Sequence, residues 1–142
     1  MLGKMLREYR RYDDAIEYFD KQIKELPESA ELRTQLGICF QGAGRLQEAL
    51  EAFQTAATLD SLQSEPYIRM AEIVLSAGDQ DRAIALLRKS LELNGGPDAP
   101  NMLGAAYAQR GLPKKALEEF KKSYQLNPNF PGVRYNIRFY LD

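Results

Sequence analysis

Several residue types that commonly build active sites are scarce or missing in this chain. Its 142 residues include no histidine, no tryptophan and a single cysteine, Cys39. Without histidine there is no Ser-His-Asp triad, no Cys-His pair and no imidazole metal ligand. A single cysteine excludes an internal disulfide and a cysteine-rich zinc site. We therefore expect a protein that is not an enzyme and that binds neither a cofactor nor a metal.

Complete ligand-binding loops are missing as well. The segment Gly42-Ala43-Gly44 lacks the third glycine and the preceding strand of a dinucleotide-binding motif, so we interpret it as a turn. The segment Asp79-Gln80-Asp81 opens like a calcium loop but lacks the later ligands. Acidic residues in such a place complement the positive end of a helix dipole. We therefore expect Asp79 to stand at the start of a helix.

An excess of charge of one sign and a long apolar run are also missing. The 19 basic residues nearly balance the 20 acidic ones, which removes a general attraction to nucleic acid. No apolar run reaches the roughly 18 residues of a membrane span, and residues 1–11 do not resemble a signal peptide. We expect no nucleic-acid partner, no membrane insertion and, by default, a cytoplasmic location. The chain could also be a domain excised from a longer protein.

What the chain does contain is a repeated pattern with a period of 33 or 34 residues. Small residues, alanines, large apolar residues and glycines each recur at this spacing. The four series are Gly37, Ala71 and Gly104; Ala15, Ala49, Ala83 and Ala116; Phe19, Phe53, Leu87 and Phe120; and Gly44, Gly78 and Gly111. Because independent series share one period, the sequence predicts structural repeats.

Within each period the apolar residues are spaced as on a helix. Leu32, Leu36 and Phe40 lie four residues apart, and a second helical pattern follows the glycine-containing turn. Further breaks follow each second helical pattern, at Pro27, Asp60-Ser61, Asn94-Gly95-Gly96-Pro97 and Asn127-Pro128. The sequence therefore predicts an all-α fold with about eight or nine helices of roughly 11 to 14 residues.

Glycines inside the predicted helices need a packing reason, because glycine destabilises a helix interior by about 1 kcal/mol relative to alanine. We expect Gly37 and Gly104 to allow a close approach between paired helices, with the recurrent alanines as the small residues of the partner. Phe53, Leu87 and Phe120 should then fill the space toward the next repeat.

This pattern resembles the tetratricopeptide repeat, a helix-turn-helix unit of 34 residues. The residues that carry the resemblance in residues 30–63 are Leu36-Gly37, Phe40, Gly44, Ala49, Phe53 and Ala56. The stretch from Arg11 to Phe19 is also typical of the family. Arg33 and Pro100 depart from it, because the family has a large aromatic residue at their position.

The resemblance implies a right-handed α-solenoid of antiparallel helix pairs. The implied units are a first repeat over 1–29 with a truncated first helix, repeats over 30–63, 64–96 and 97–130, and a C-terminal capping half-repeat over 131–142. We expect Val133, Ile137 and Leu141 to pack against the fourth repeat. Tyr135, Phe139 and Tyr140 would add aromatic surface.

In this family the first helices of successive repeats line a concave groove. Transferred to this sequence, the groove positions hold Thr34, Gln35, Ile38, Ile68, Arg69, Glu72, Asn101, Met102, Ala105, Tyr135 and Phe139. Apolar anchors combined with amide side chains suit an extended or short helical peptide. Alternatively, Ile38 and Ile68 could pack against neighbouring first helices. Glu65 stands where some family members use lysine to capture a peptide carboxylate, which disfavours that specificity.

The sequence thus predicts a module that binds a protein or peptide and acts as a scaffold or adaptor. The alternative is a structural module that forms homo-oligomers through its C-terminal aromatic helix. An enzyme or a small-molecule site is weakly supported, because no catalytic constellation is present. We expect Cys39 to be a small buried residue and the basic residues Lys114, Lys115, Lys121 and Lys122 to form a solvated convex face.

Overall fold

The computed structural model describes residues 2–8, 11–94 and 96–141, which form nine α-helices and no β-strand. The helices are α1 (Leu2–Glu8), α2 (Tyr12–Glu25), α3 (Ala30–Gly42), α4 (Leu46–Leu59), α5 (Glu65–Ser76), α6 (Gln80–Glu92), α7 (Asp98–Gln109), α8 (Pro113–Leu126) and α9 (Val133–Tyr140). The prediction of an all-α fold is confirmed.

Each helix packs mainly against the helices that precede and follow it along the chain. The most extensive contacts join α3 with α4, α5 with α6 and α7 with α8. The first helices of these pairs, α3, α5 and α7, also contact one another. The fold is therefore a stack of helix pairs in which the first helices form one continuous row.

A glycine with positive φ ends the first helix of three successive pairs, as the sequence predicts. Gly44, Gly78 and Gly111 have φ values of 77°, 86° and 76°, a region that residues with a β-carbon rarely adopt. At Gly44 the chain closes with two hydrogen bonds, from Gly44 N to Gln41 O at 3.1 Å and from Arg45 N to Phe40 O at 2.8 Å. This is the Schellman arrangement, which satisfies carbonyls left free at a helix end.

The acidic segment after the second of these turns begins a helix. The Oδ1 atom of Asp79 accepts a hydrogen bond from Arg82 N at 3.2 Å, which caps the start of α6. The prediction for this segment is confirmed. A further predicted break includes Gly95, which lies outside the described residues.

The glycines inside the helices accommodate aromatic rings. A β-carbon added to Gly37 would lie 2.6 Å from the Phe53 ring, and one added to Gly104 would lie 2.6 Å from the Phe120 ring. Each ring belongs to the second helix of the same pair as its glycine. We therefore correct two expectations: the glycines face a ring rather than an alanine, and these phenylalanines pack into their own pair as well as toward the next.

The third pair solves the same packing problem with residues of different size. Ala71 and Leu87 occupy the positions equivalent to Gly37 and Phe53, and both are fully buried in one apolar cluster. A larger residue on the first helix is thus matched by a smaller one on the second. Because protein interiors are close-packed, such matched sizes keep the spacing of the paired helices constant.

The recurrent alanines are fully buried, and this leads to a prediction of stability. We expect Ala83→Leu to lower the free energy of unfolding by about 1–3 kcal/mol, because added methylenes overpack a filled core. The measurement is chemical denaturation followed by circular dichroism. Ala85→Leu is a matched control, since Ala85 is an exposed residue of the same helix. Equal stability of the two variants would contradict a packed contact at Ala83.

The apolar core divides into two clusters that meet at α5. The first joins residues of α2, α3 and α4 with Met70 and Ile73, and the second joins Ala71 with residues of α6, α7 and α8. Cys39 belongs to the first cluster and is fully buried, as predicted. Burial raises the pKa of its thiol to about 11. The thiol is therefore protonated at neutral pH, which suits a packing role.

The last helix packs on the fourth pair in a way that differs partly from the prediction. Val133 is fully buried and Ile137 is half-buried, as expected. Leu141 is 59% exposed because it lies beyond the end of α9. The ring of Tyr140, predicted to add to the exposed aromatic surface, stacks on Phe120 instead, at a centroid distance of 5.7 Å. Tyr140 is therefore half-buried against the second apolar cluster, and the exposed aromatic surface is smaller than predicted.

Candidate functional site

Side-chain hydrogen bonds join neighbouring helices along the row of first helices. Three such bonds link α1 to α3, α3 to α5 and α7 to α9. They run from Arg7 Nη1 to Gln35 Oε1 at 2.6 Å, from Gln41 Nε2 to Glu72 Oε2 at 3.1 Å and from Asn136 Nδ2 to Asn101 Oδ1 at 3.3 Å. The residues of these pairs thus share one face of the stack, which we call the groove face.

The predicted site residues differ in how much surface they offer. Gln35, Glu72 and Asn101 take part in the bonds along the groove face. Eight residues are half-buried: Gln35, Ile38, Ile68, Arg69, Glu72, Asn101, Met102 and Ala105. Tyr135 and Phe139 are 69% and 63% exposed, whereas Thr34 is buried.

Thr34 offers less to a ligand than the other predicted residues. Its hydroxyl donates a hydrogen bond to the carbonyl oxygen of Ala30 at 3.0 Å, within its own helix. It borders an open pocket of about 470 Å³ that Gln35 and Glu65 also line. Its hydroxyl hydrogen is thus used within α3, which leaves only its oxygen lone pairs to face the pocket.

The half-buried apolar residues contribute to the core as well as to the groove face. Ile38 packs against the first apolar cluster, and Ile68 and Met102 pack against the second. The alternative interpretation of Ile38 and Ile68 as packing residues therefore applies to part of each side chain. The remaining part of each is accessible to a ligand.

Arg69 is held by two carboxylates of its own helix. Its guanidinium lies 3.5 Å from the Glu65 carboxylate and 3.6 Å from that of Glu72. Glu72 also accepts the hydrogen bond from Gln41 on the neighbouring helix. The sequence suggested Arg69 as a hydrogen-bond donor to a peptide, but here its charge is already compensated and two carboxylates surround it.

The middle of the groove face carries an excess of negative charge. Glu65 and Glu72 flank the single guanidinium of Arg69, and exposed carboxylates lie one helix away on either side, at Glu31 and Asp98. These acidic residues were not predicted from the sequence as one set. Its signal was present, because Glu31, Glu65 and Asp98 recur with the same period as the glycines and alanines.

The C-terminal end of the groove face is aromatic. The rings of Tyr135 and Phe139 stack on each other with centroids 6.2 Å apart, and Phe139 contacts the Tyr140 ring edge-to-face at 4.8 Å. Both exposed rings lie on the side of α9 that adjoins Asn136, the residue bonded to α7. An amide pair and an aromatic surface therefore stand side by side.

Two of the four basic residues of α8 contact another side chain of the protein, and the other two are exposed. Lys122 donates a hydrogen bond to the buried Glu119 carboxylate at 2.8 Å, and this bond raises the pKa of Lys122. The Lys115 ammonium lies 5.7 Å from the centre of the Tyr107 ring. Lys114 and Lys121 are exposed. This distribution supports the interpretation as a solvated face.

The described residues contain neither a metal-binding cluster nor a helix that could span a membrane. Within residues 2–8, 11–94 and 96–141, no three side chains of the metal-binding types converge. Over the same ranges, no helix combines the length and apolar character needed to cross a bilayer.

Comparison with known proteins supports the helix-pair architecture. Tetratricopeptide repeat family models match residues 6–57 and 68–131. Human protein O-mannosyl-transferase TMTC1 is 29% identical over 139 residues, which are 97% of this chain and 16% of that protein. The chain spans between 12% and 30% of the length of the curated relatives it matches.

Two solved structures, of MamA and YrrB, share the fold over 82% and 66% of their length. A crystal structure of MamA has a TM-score of 0.86 at 26% identity, covering 99% of this chain and 82% of that one. A crystal structure of YrrB, described as a tetratricopeptide repeat protein with an unusual peptide-binding site, has a TM-score of 0.80 at 24% identity. That match covers 89% of this chain and 66% of YrrB and indicates the common fold.

The two family matches, over residues 6–57 and 68–131, together cover most of the chain. The helix pairs, the turn glycines and the row of first helices agree with the right-handed solenoid of these neighbours. The chain belongs to the tetratricopeptide repeat family.

Proposed function

We propose that this chain binds a peptide or an extended protein segment along the groove face and thereby acts as a scaffold or adaptor. The tetratricopeptide repeat fold is generally a protein interaction scaffold. The observation that carries the proposal is the exposed ring pair Tyr135 and Phe139 beside the Asn101–Asn136 amide pair. Apolar surface next to amide groups with unused hydrogen-bond donors and acceptors suits a peptide, which offers both side chains and backbone polar groups.

Each part of the groove face has a distinct role in this proposal. Tyr135, Phe139 and the accessible part of Met102 accept apolar side chains. Asn101 retains amide hydrogens and Asn136 retains a carbonyl oxygen, which match the acceptor and donor of a peptide backbone. In the proposed division of the chain into units over 1–29, 30–63, 64–96, 97–130 and 131–142, the last two units carry these residues. The chain works by binding and without catalysis.

The alternative, self-assembly through α9, has less support. It depends on a broad aromatic surface, but Tyr140 is withdrawn against Phe120. The rings that stay exposed, Tyr135 and Phe139, adjoin the amide pair on the groove face. This position favours capture of a segment over contact between copies.

The proposal is tested by selecting peptides of about 12 residues from a random phage library on the immobilised chain, a length that spans the row of first helices. We expect Tyr135→Ala/Phe139→Ala to weaken binding of the selected synthetic peptides at least about tenfold, because most binding energy comes from a few buried aromatic contacts. Tyr124→Ala/Leu126→Ala is the matched control, since both residues are exposed on α8.

Circular dichroism melts of both double variants check that the fold is retained. Failure to select any peptide, or equal affinity of both variants for the selected peptides, would contradict capture at this face. Calorimetric titration provides the affinities.

A further inference from the structure

The charges of the groove face point to the chemistry of the segment it binds. We propose that the bound segment carries a lysine or arginine about five or six residues from an apolar or aromatic residue. This inference rests on the proposed function and adds a specificity to it. The basic residue would lie against the carboxylates of α5, where Asp98 of α7 adds to the negative potential, and the apolar residue would lie against Tyr135 and Phe139.

The side chains of α5 on the groove face carry more negative than positive charge. Glu65 and Glu72 share one guanidinium, that of Arg69, so this group of three side chains carries a net negative charge. A cationic side chain can approach either carboxylate from solvent, because both carboxylates remain at least one-third exposed. An anionic side chain would have to displace a carboxylate from Arg69, which disfavours acidic segments.

The negative charge continues along the groove face to the helices on either side of α5. Asp98 on α7 and Glu31 on α3 are exposed on the helices that neighbour α5. Opposing basic groups lie at the far end of the row, on α1, where Lys4 is exposed and Arg7 is bonded to Gln35. The central part of the face therefore presents a negative potential that selects cationic partners.

The distance between the carboxylates of α5 and the aromatic rings of α9 sets the spacing of the two residues in the bound segment. Neighbouring packed helices lie about 8–10 Å apart, so α5 and α9, two steps apart in the row, are about 16–20 Å apart. An extended chain advances about 3.3 Å per residue, so this distance corresponds to five or six residues. Glu72 and Phe139 lie on equivalent turns of their helices in the repeat period, so a segment crossing the helices would meet both.

The amide pair lies between these two features. Asn101 is on α7, the helix between α5 and α9, and its bond to Asn136 fixes the orientation of both amides. An extended segment that places its cation at α5 and its ring at α9 would pass over this pair. The acidic, amide and aromatic groups therefore follow one another in the order that a single extended segment would contact them.

The test uses the peptides selected on the full chain and two readouts. We expect an excess of lysine or arginine over aspartate and glutamate, placed about five or six residues from an apolar residue. We also expect Glu65→Gln/Asp98→Asn to weaken binding of these peptides about three- to tenfold, and added salt to reduce the difference from the unchanged chain. Glu51→Gln/Glu118→Gln is the matched control, with both carboxylates exposed on second helices.

The possible failures are distinguishable. Suppose that the selected peptides depend on Tyr135 and Phe139 for binding. If they then lack an excess of basic residues, or bind the Glu65→Gln/Asp98→Asn variant with unchanged affinity, this inference is overturned and the proposed function stays intact. Peptides whose binding does not depend on Tyr135 and Phe139 would overturn both. Circular dichroism melts check that the carboxamide variants retain the fold.

Discussion

Replacing Gly37 with alanine should lower the free energy of unfolding by about 1–3 kcal/mol, and Phe53→Leu introduced into the same chain should restore part of that loss. Glycine to alanine in a helix interior ordinarily stabilises by about 0.5–1 kcal/mol. The opposite sign is expected here because the new methyl group would lie 2.6 Å from a fully buried ring that has no room to move. Leucine at position 53 removes the ring and frees that space.

A double-mutant cycle measures this coupling. The four proteins are compared by chemical denaturation, and we expect an interaction energy of about 1–2 kcal/mol between the two sites. The third helix pair offers the reverse control. Leu87→Phe should lower the free energy of unfolding, and Ala71→Gly introduced into the same chain should restore part of that loss. Additive effects in both cycles would show that the matched sizes do not set the spacing of the helices.

Replacing Val133 with aspartate should release α9 while the remaining helices stay folded. Val133 is fully buried, and an unpaired carboxylate at such a place costs at least about 3 kcal/mol. We expect that cost to exceed what α9, a helix of 8 residues, gains from its contacts with the fourth pair. The other helix pairs contact only their neighbours along the chain, so they do not depend on α9.

Hydrogen exchange read by mass spectrometry tests the prediction for α9. Amides of residues 133–140 should lose protection, whereas those of α2 to α6 should keep it. The selected peptides should bind the variant at least about tenfold more weakly, since the aromatic anchors are no longer held in place. Arg138→Asp, an exposed position of the same helix, is the control. Global unfolding, or unchanged protection in α9, would contradict the prediction.

The repeat period and the helical spacing of apolar residues within it predict paired helices, and the family resemblance implies the solenoid. Residues with one structural role recur at fixed spacing, so the turn glycines such as Gly44 and the buried alanines such as Ala83 could be assigned without the structure. Each repeat buries its apolar face mainly against its neighbours, which makes local sequence a good guide to tertiary contacts.

Three features required the structure. The period assigns Phe53 a position, but only the three-dimensional packing shows that its ring lies over Gly37. Leu141 follows the apolar spacing of α9, but the helix ends at Tyr140, so the tyrosine packs in its place. The compensation of Arg69 depends on side-chain conformations that a sequence does not specify.

The hydrogen bonds between first helices have a mechanical consequence. Among the residues that the structure describes, they join α1 to α3, α3 to α5 and α7 to α9, but none joins α5 to α7. The two apolar clusters also meet at α5. Between α5 and α7 the described first helices are therefore joined by packing, including the second apolar cluster, without a side-chain hydrogen bond. Under a bending load, we expect the array to deform first at this step. The proposed segment crosses the same step, so its binding should make the array stiffer there.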